Sequence, residues 1–228
     1  MTCRCWSGPG RRRRACWPTI RRSAIRRCRR RAKKSGRDSS CLTWRRWAEA
    51  VGRRARRRRS RVRPTSARVR DALLNSLAPR IEGSRVLDLF AGSGGLGLGM
   101  LARGAARVLF IERDAALVEG IRREVAKEGW ADRADVWAMD VLAAVHELGR
   151  TGETFDLIFM DPPYGENWIP RTLRTLAASR LLAPDGLIIA EGHWRDRPVE
   201  EAGFTRLREA RYGETALWFY ADQRGGPA

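Results

Sequence analysis

Five short apolar runs punctuate this chain: "RVLDLF" (85–90), "ARVLFIER" (106–113), "ADVWAM" (134–139), "FDLIFM" (155–160) and "GLIIAEG" (186–192). Between them lie stretches with helical spacing, at 95–104, 114–128, 141–148 and 169–182. Leu117, Ile121 and Val125 share a face of the second stretch, and Leu173, Leu176 and Leu181 mark the last. Strands that alternate with helices and are apolar throughout belong to a parallel sheet covered on both faces. The end of the chain departs from this alternation. "FTRLREARY" (204–212) and "TALWFYA" (215–221) are joined only by "GE", which predicts an antiparallel hairpin. The expected fold is α/β, a doubly wound, mostly parallel sheet of seven strands closed by that hairpin. One helix precedes it, in "PTSARVRDALLNSLAP". Thr65 is its expected N-cap, Val69, Ala72, Leu73 and Leu77 its apolar face, and Pro79 its stop.

Charge divides the chain into two parts. The whole has a formal net charge of +20. Residues 1–63 carry 25 basic side chains against Asp38 and Glu49, a net of +23. Residues 64–228 carry 21 basic and 24 acidic side chains, a net of −3. The segment 1–63 has no sustained apolar period and is expected to be disordered. It reads either as an arm for nucleic-acid phosphates or as an N-terminus translated from a wrong frame or start, so the total charge does not by itself assign a partner. The expected domain is 64–228. All five cysteines (Cys3, Cys5, Cys16, Cys28, Cys41) precede residue 42 and form no CxxC pair, which argues against a zinc site or a disulfide framework. With two histidines in the chain, no metal is expected. There is no 18-residue apolar run and no apolar leader, so the expectation is a cytoplasmic protein that does not cross a membrane.

"DLFAGSGGLG" follows the first strand, and Gly92, Gly94 and Gly97 fit GxGxxG. Glycines there let the backbone turn sharply and approach a ligand closely. Glu112 stands 20 residues after Gly92, at the end of the second strand, where a carboxylate can accept both hydroxyls of a ribose. The pattern indicates an adenosine-containing cofactor. A dinucleotide brings a pyrophosphate; S-adenosylmethionine brings a sulfonium and an ammonium group instead. Asp88 inside the first strand, Glu112, and Asp140 at the end of the third suit the cationic nucleoside better. Asp140 would accept from the adenine amino group, or serve only as a helix cap.

"MDPPYGENW" (160–168) ends the fourth strand in a carboxylate, two prolines and an aromatic. An exocyclic amine of a base is a poor nucleophile because its lone pair is delocalised into the ring. A carboxylate and a carbonyl that accept from its two N–H bonds expose that lone pair. Asp161 can be the first acceptor and the carbonyl of Pro162 the second, held by the fixed φ of the prolines. Tyr164 offers a face for a flipped base. The competing reading is a proline turn with a solvated aspartate.

These stretches, together with "RPTSARVRDALLNSL" and "FIERD", resemble the RsmD family of bacterial 16S rRNA guanine-N2 methyltransferases over about residues 60–221. The resemblance implies a Rossmann-like class I methyltransferase fold, S-adenosylmethionine as methyl donor, and one guanine of small-subunit rRNA as acceptor. It implies a cofactor pocket lined by Asp88, Gly92, Gly94, Glu112 and Asp140. Asp161, Pro162 and Tyr164 would hold the guanine amine. Arg63, Thr65 and Arg68 would lie near substrate or cofactor. The expected partner is 16S rRNA in the small ribosomal subunit, met by a monomer. Two positions depart from the family, Ala67 where it has an acid and Asp71 where it has glutamate. Its β-rich N-terminal element is matched only by "VGRRARRRRSR".

Three rival readings remain at this point. A DNA adenine-N6 methyltransferase uses the same DPPY chemistry but needs a target-recognition domain, for which there is no room after residue 64. A non-catalytic RNA-binding protein would depend on the basic arm and not on Asp161. A nicotinamide oxidoreductase would need a substrate domain after the glycine loop. Trp168 and Trp194 could stack on RNA bases or simply pack in loops.

Overall fold

The computed structural model describes residues 67–163, 166–196 and 203–223. The Arg-rich segment, Arg63, Thr65 and Tyr164 lie outside the described residues. The first described element is helix α1 (Ala67–Ser76), which buries Val69, Leu73 and Leu74. A short helix, α2 (Ala78–Ile81), follows at once. Pro79, the expected stop of the first helix, stands three residues past its end at Ser76 and in the first turn of the second. That position suits proline, because first-turn amides have no carbonyl partner inside the helix.

From there strands and helices alternate. The elements are β1 (Arg85–Leu89), α3 (Gly95–Ala102), β2 (Arg107–Glu112), α4 (Ala115–Lys127), β3 (Ala134–Ala138), α5 (Val141–Thr151), β4 (Phe155–Met160), α6 (Trp168–Ser179) and β5 (Leu182–His193). β6 (Phe204–Tyr212) and β7 (Thr215–Asp222) form the hairpin. The seven strands lie in the order β3-β2-β1-β4-β5-β7-β6. β1 to β5 pair in parallel; β7 runs antiparallel between β5 and β6. The strand order reverses between β1 and β4, and a sheet of this kind opens its ligand crevice at the carboxyl ends there.

Alternation along each strand divides the core between the two faces. Val86, Val108, Phe110, Leu157, Phe159, Ile189 and Phe219 join residues of α1, α3 and α4 in one cluster. The residues between them, such as Leu87, Leu109, Ile158 and Ile188, are also buried, so both faces are covered. Each such side chain contributes about 1.5–3 kcal/mol when fully buried. Helix α3, "GLGLGMLA", is buried from Gly95 to Leu101, which explains why it carries no polar face. On α4 the inward residues are Val118, Ile121 and Val125. Leu117, expected on that face, is 38% exposed, because Val118 stands three residues before Ile121 and takes the inward position. Leu181 is buried but follows the end of α6, whose C-cap is Arg180. The fifth strand begins at Leu182, earlier than the apolar run alone indicates, and meets β4 across a register irregularity between Phe155 and Leu157.

Candidate functional site

The strand registers bring one set of positions to a common level. Leu89 pairs with Ile111 on one side and Met160 on the other, and Met160 pairs with Ala190. The next residues outward are therefore Phe90, Glu112, Asp161 and Glu191, on four adjacent strands. Neighbouring strands lie about 4.8 Å apart. Three carboxylates thus stand in one row at the carboxyl end of the sheet, with Asp88 two residues below Phe90.

Asp88 is 2% exposed, and its Oδ2 accepts from the Gly97 amide at 3.0 Å. Burial raises its pKa to about 7; the Gly97 hydrogen bond opposes this, and the charges of Asp161 and Glu112 add to it. A cation in this crevice would return the group to its charged form. Gly97 is a packing residue: a Cβ there would run into the Phe110 ring and come within 2.9 Å of Asp88 Oδ2. Gly97 lies on the sheet-facing side of α3, and its missing side chain lets that helix sit directly on β1 and β2.

The loop between β1 and α3 is held from both sides. The Gly94 amide donates to the Ala91 carbonyl at 2.7 Å, and Gly94 caps α3 at φ 75°. The Gly92 amide donates to Glu112 Oε2 at 2.8 Å, while Glu112 Oε1 accepts from the Asp114 amide at 2.8 Å. Glu112 therefore ties the glycine loop to the end of β2 and keeps lone pairs for further donors. Gly92 has φ 57°, and a Cβ there would meet only the Phe90 carbonyl oxygen, at 3.8 Å. The space in front of the loop is open. Phe90 itself has φ 58°, an αL conformation that costs a non-glycine residue about 1–2 kcal/mol. Its ring meets the edge of Trp168 at 5.5 Å and so joins the glycine loop to the start of α6.

Asp140 caps α5 through Oδ1, which accepts from the Leu142 amide at 2.9 Å and the Ala143 amide at 3.2 Å. Of the two readings offered for it, the cap is realised, and Oδ2 takes no part in it. Asp161 is half-buried and Pro162 buried directly after β4, at the β1/β4 switch point. Arg68 is exposed on α1. Two other residues that the sequence did not single out reach the site. Arg70 turns inward, with Nη1 3.1 Å from where a Gly95 Cβ would stand; burial lowers its pKa, and the charges of Asp71 and Glu191 oppose that. Glu191 is 1% exposed. Its signal was an acid closing an apolar run, the same signal that exposed Asp161. Among the described residues no group of side chains has the makings of a metal site, and no helix is long and apolar enough to cross a membrane.

A parallel five-stranded sheet continued by an antiparallel β7 inserted before β6, with a glycine loop after β1 and an acid after β2, is the class I methyltransferase fold. Residues 49–221 match the family described as "Conserved hypothetical protein 95". Ribosomal RNA small subunit methyltransferase D of Escherichia coli K12 is 34% identical over 168 residues, 72% of this chain and 82% of that protein. The Haemophilus influenzae protein of the same name is 31% identical over 161 residues, 70% of this chain and 82% of its own. Among solved structures, a conserved hypothetical protein of Streptococcus pyogenes superposes with a TM-score of 0.62 at 31% identity, covering 70% of this chain and 98% of that one. The chain belongs to this methyltransferase family.

Proposed function

We propose that this protein transfers a methyl group from S-adenosylmethionine to the exocyclic N2 amine of a guanine in 16S rRNA of the small ribosomal subunit. The observation that carries the reading is the row of carboxylates at the switch point, where Asp161 and Pro162 stand one strand from the glycine loop. Family membership supplies the RNA substrate class.

A dinucleotide fits this crevice poorly. A pyrophosphate would be placed beside Asp88, Glu112 and Asp161, and Asp88 already takes the Gly97 amide of α3. A cationic nucleoside is attracted by the same groups. Glu112 would accept from ribose hydroxyls and Asp140, through the Oδ2 that its cap does not use, from an adenine amine, and the open face of Gly92 leaves room for the ligand. S-adenosylmethionine, when bound, supplies a methyl group on a positively charged sulfur. Asp161 and the Pro162 carbonyl accept from the two N–H bonds of the guanine amine and free its lone pair. Rigid prolines hold both acceptors, so the residues contribute position more than acid–base chemistry. Asp161 is also the adjacent acceptor for the proton that the nitrogen sheds. Tyr164 supplies the stacking face for the base.

The test is product identity. The full chain is incubated with labelled S-adenosylmethionine and, in separate reactions, small-subunit particles lacking modifications or unmethylated DNA, and the nucleic acid is digested to nucleosides. N2-methylguanosine is expected. Label in N6-methyladenine of DNA, with none in RNA, overturns the reading.

A further inference from the structure

We infer that two tryptophan–arginine platforms at the rim of the crevice, Trp168 with Arg171 and Trp194 with Arg195 and Arg211, bind phosphates of the RNA strand on either side of the target base. The inference rests on the RNA reading above and extends it to a surface outside the methyl-transfer residues.

Both platforms lie at the carboxyl end of the sheet. Trp168 opens α6, directly after the loop that begins with Asp161. His193 closes β5 two residues past Glu191, about 7 Å outward at 3.3 Å per residue, and Trp194 follows it. The antiparallel hairpin brings its turn to the same end, since His193 and Tyr212 both pair with Thr215. The Trp194 amide donates to the Glu214 carbonyl at 3.0 Å and fixes the two loops together.

Each guanidinium is laid on an indole. Arg171 stands 4.6 Å from the Trp168 ring centre, Arg211 3.9 Å and Arg195 5.1 Å from that of Trp194. Stacking orients a guanidinium in advance and leaves its N–H edge for an oxyanion. None of the three has an ion-pair partner among the described residues, although Asp196 and Glu214 lie in the same loops. Arg211 spends only its Nε, on the Gly213 carbonyl at 2.9 Å. Arg133 shows the contrast: it also lies over an indole, Trp130, but its Nη1 donates to the Leu101 and Ala105 carbonyls. That arginine is spent on the fold, whereas the rim arginines keep their forks for a ligand. An RNA strand offers what this rim lacks, a run of phosphates that guanidinium forks match in shape and charge.

The experiment compares the full chain with an Arg171→Ala/Arg195→Ala/Arg211→Ala variant and with Arg122→Ala/Lys127→Ala/Arg150→Ala, which removes the same charge from helices α4 and α5. The N-terminal arm is common to all three, so differences report the substituted surface. Binding to small-subunit particles lacking modifications is measured over a range of salt, along with KM, kcat and S-adenosylmethionine affinity. The rim variant is expected to bind the particle at least about tenfold more weakly, with a log Kd against log salt slope shallower by about 2. KM should change far more than kcat, and the affinity for S-adenosylmethionine should hold. A particle affinity and salt slope equal to those of the α4/α5 control overturn the inference. Binding is read without turnover, so it decides the matter even if no methylated guanosine forms, a result that would defeat the functional proposal alone.

Discussion

The two ends of the sheet are built from the same residue types and use them in opposite ways. At the amino end, charges are paired. Arg85 meets Glu153 at 3.1 Å, Arg107 meets Asp135 at 2.6 Å, and the Arg85 amide donates to Asp156 at 2.7 Å. At the carboxyl end, Glu112, Asp161 and Glu191 stand in one row above Asp88, and Arg171, Arg195 and Arg211 are held on indoles. At one end acids and bases meet in pairs within the fold. At the other, carboxylates gather around Asp88, whose pKa is raised first by burial and then by the charges of Asp161 and Glu112. A cation bound there, such as the sulfonium of a methyl donor, would offset that cost.

The sharpest way to break the comparison is at Asp161. Asp161→Ala is expected to lower methyl transfer about a thousandfold, on the scale of losing a preorganised polar group at a reacting centre, while S-adenosylmethionine binding persists. Single-turnover transfer and calorimetric titration check this, and near wild-type transfer would leave the amine-activation argument without support. Glu112→Gln is next: one of its two backbone donors is left facing an amide NH2, and cofactor binding should weaken about tenfold or more by calorimetry. Gly97→Ala forces a methyl group into Phe110 and Asp88, and should cost about 1–3 kcal/mol in urea unfolding. An unchanged midpoint would show that α3 can lift off the sheet freely.

Asp88→Asn sharpens the comparison through pH. The folded-state pKa of Asp88 is raised from 3.8 to about 7, so its stabilising contribution is fully present below the lower value and is lost as pH rises through the upper. The wild-type protein without ligand should therefore lose melting temperature relative to Asp88→Asn as pH rises from 3.8 to about 7, with the difference levelling off above that. A pH-independent difference between the two would contradict the raised pKa. At the amino end the effect should be smallest. Arg85→Ala removes a partly exposed pair and should cost about 1 kcal/mol or less in urea unfolding, with transfer unchanged.

The fold was legible because fully buried parallel strands are written as apolar runs, and a helix is needed to join each to the next. The antiparallel end was legible for the complementary reason, as two residues cannot make a crossover. The site was legible in part. Asp161 and Glu112 close apolar runs with a charge, which a core strand does not need. Gly97 was harder, since a glycine that admits a ligand and a glycine that admits a phenylalanine ring read alike. Pro79 marked the end of the first helix but hid the start of the second, because a proline that opens a helix and a proline that lies beyond the end of one look the same from the residues before them. Arg70 reaches the loop because of how α1 packs on α3, which no local spacing records. The rim arginines were hidden for the same reason: pairing is a property of three-dimensional neighbours.

The difference between the two ends can be read in one measurement, amide hydrogen exchange with and without S-adenosylmethionine. The account predicts added protection at the carboxyl end, in the segments around Phe90 to Gly95, Glu112 to Ala116 and Asp140 to Ala143, with the amino-end segments around Arg85, Arg107 and Phe155 unchanged. Protection at the amino end instead, or no protection at the glycine loop under saturating ligand, would contradict it.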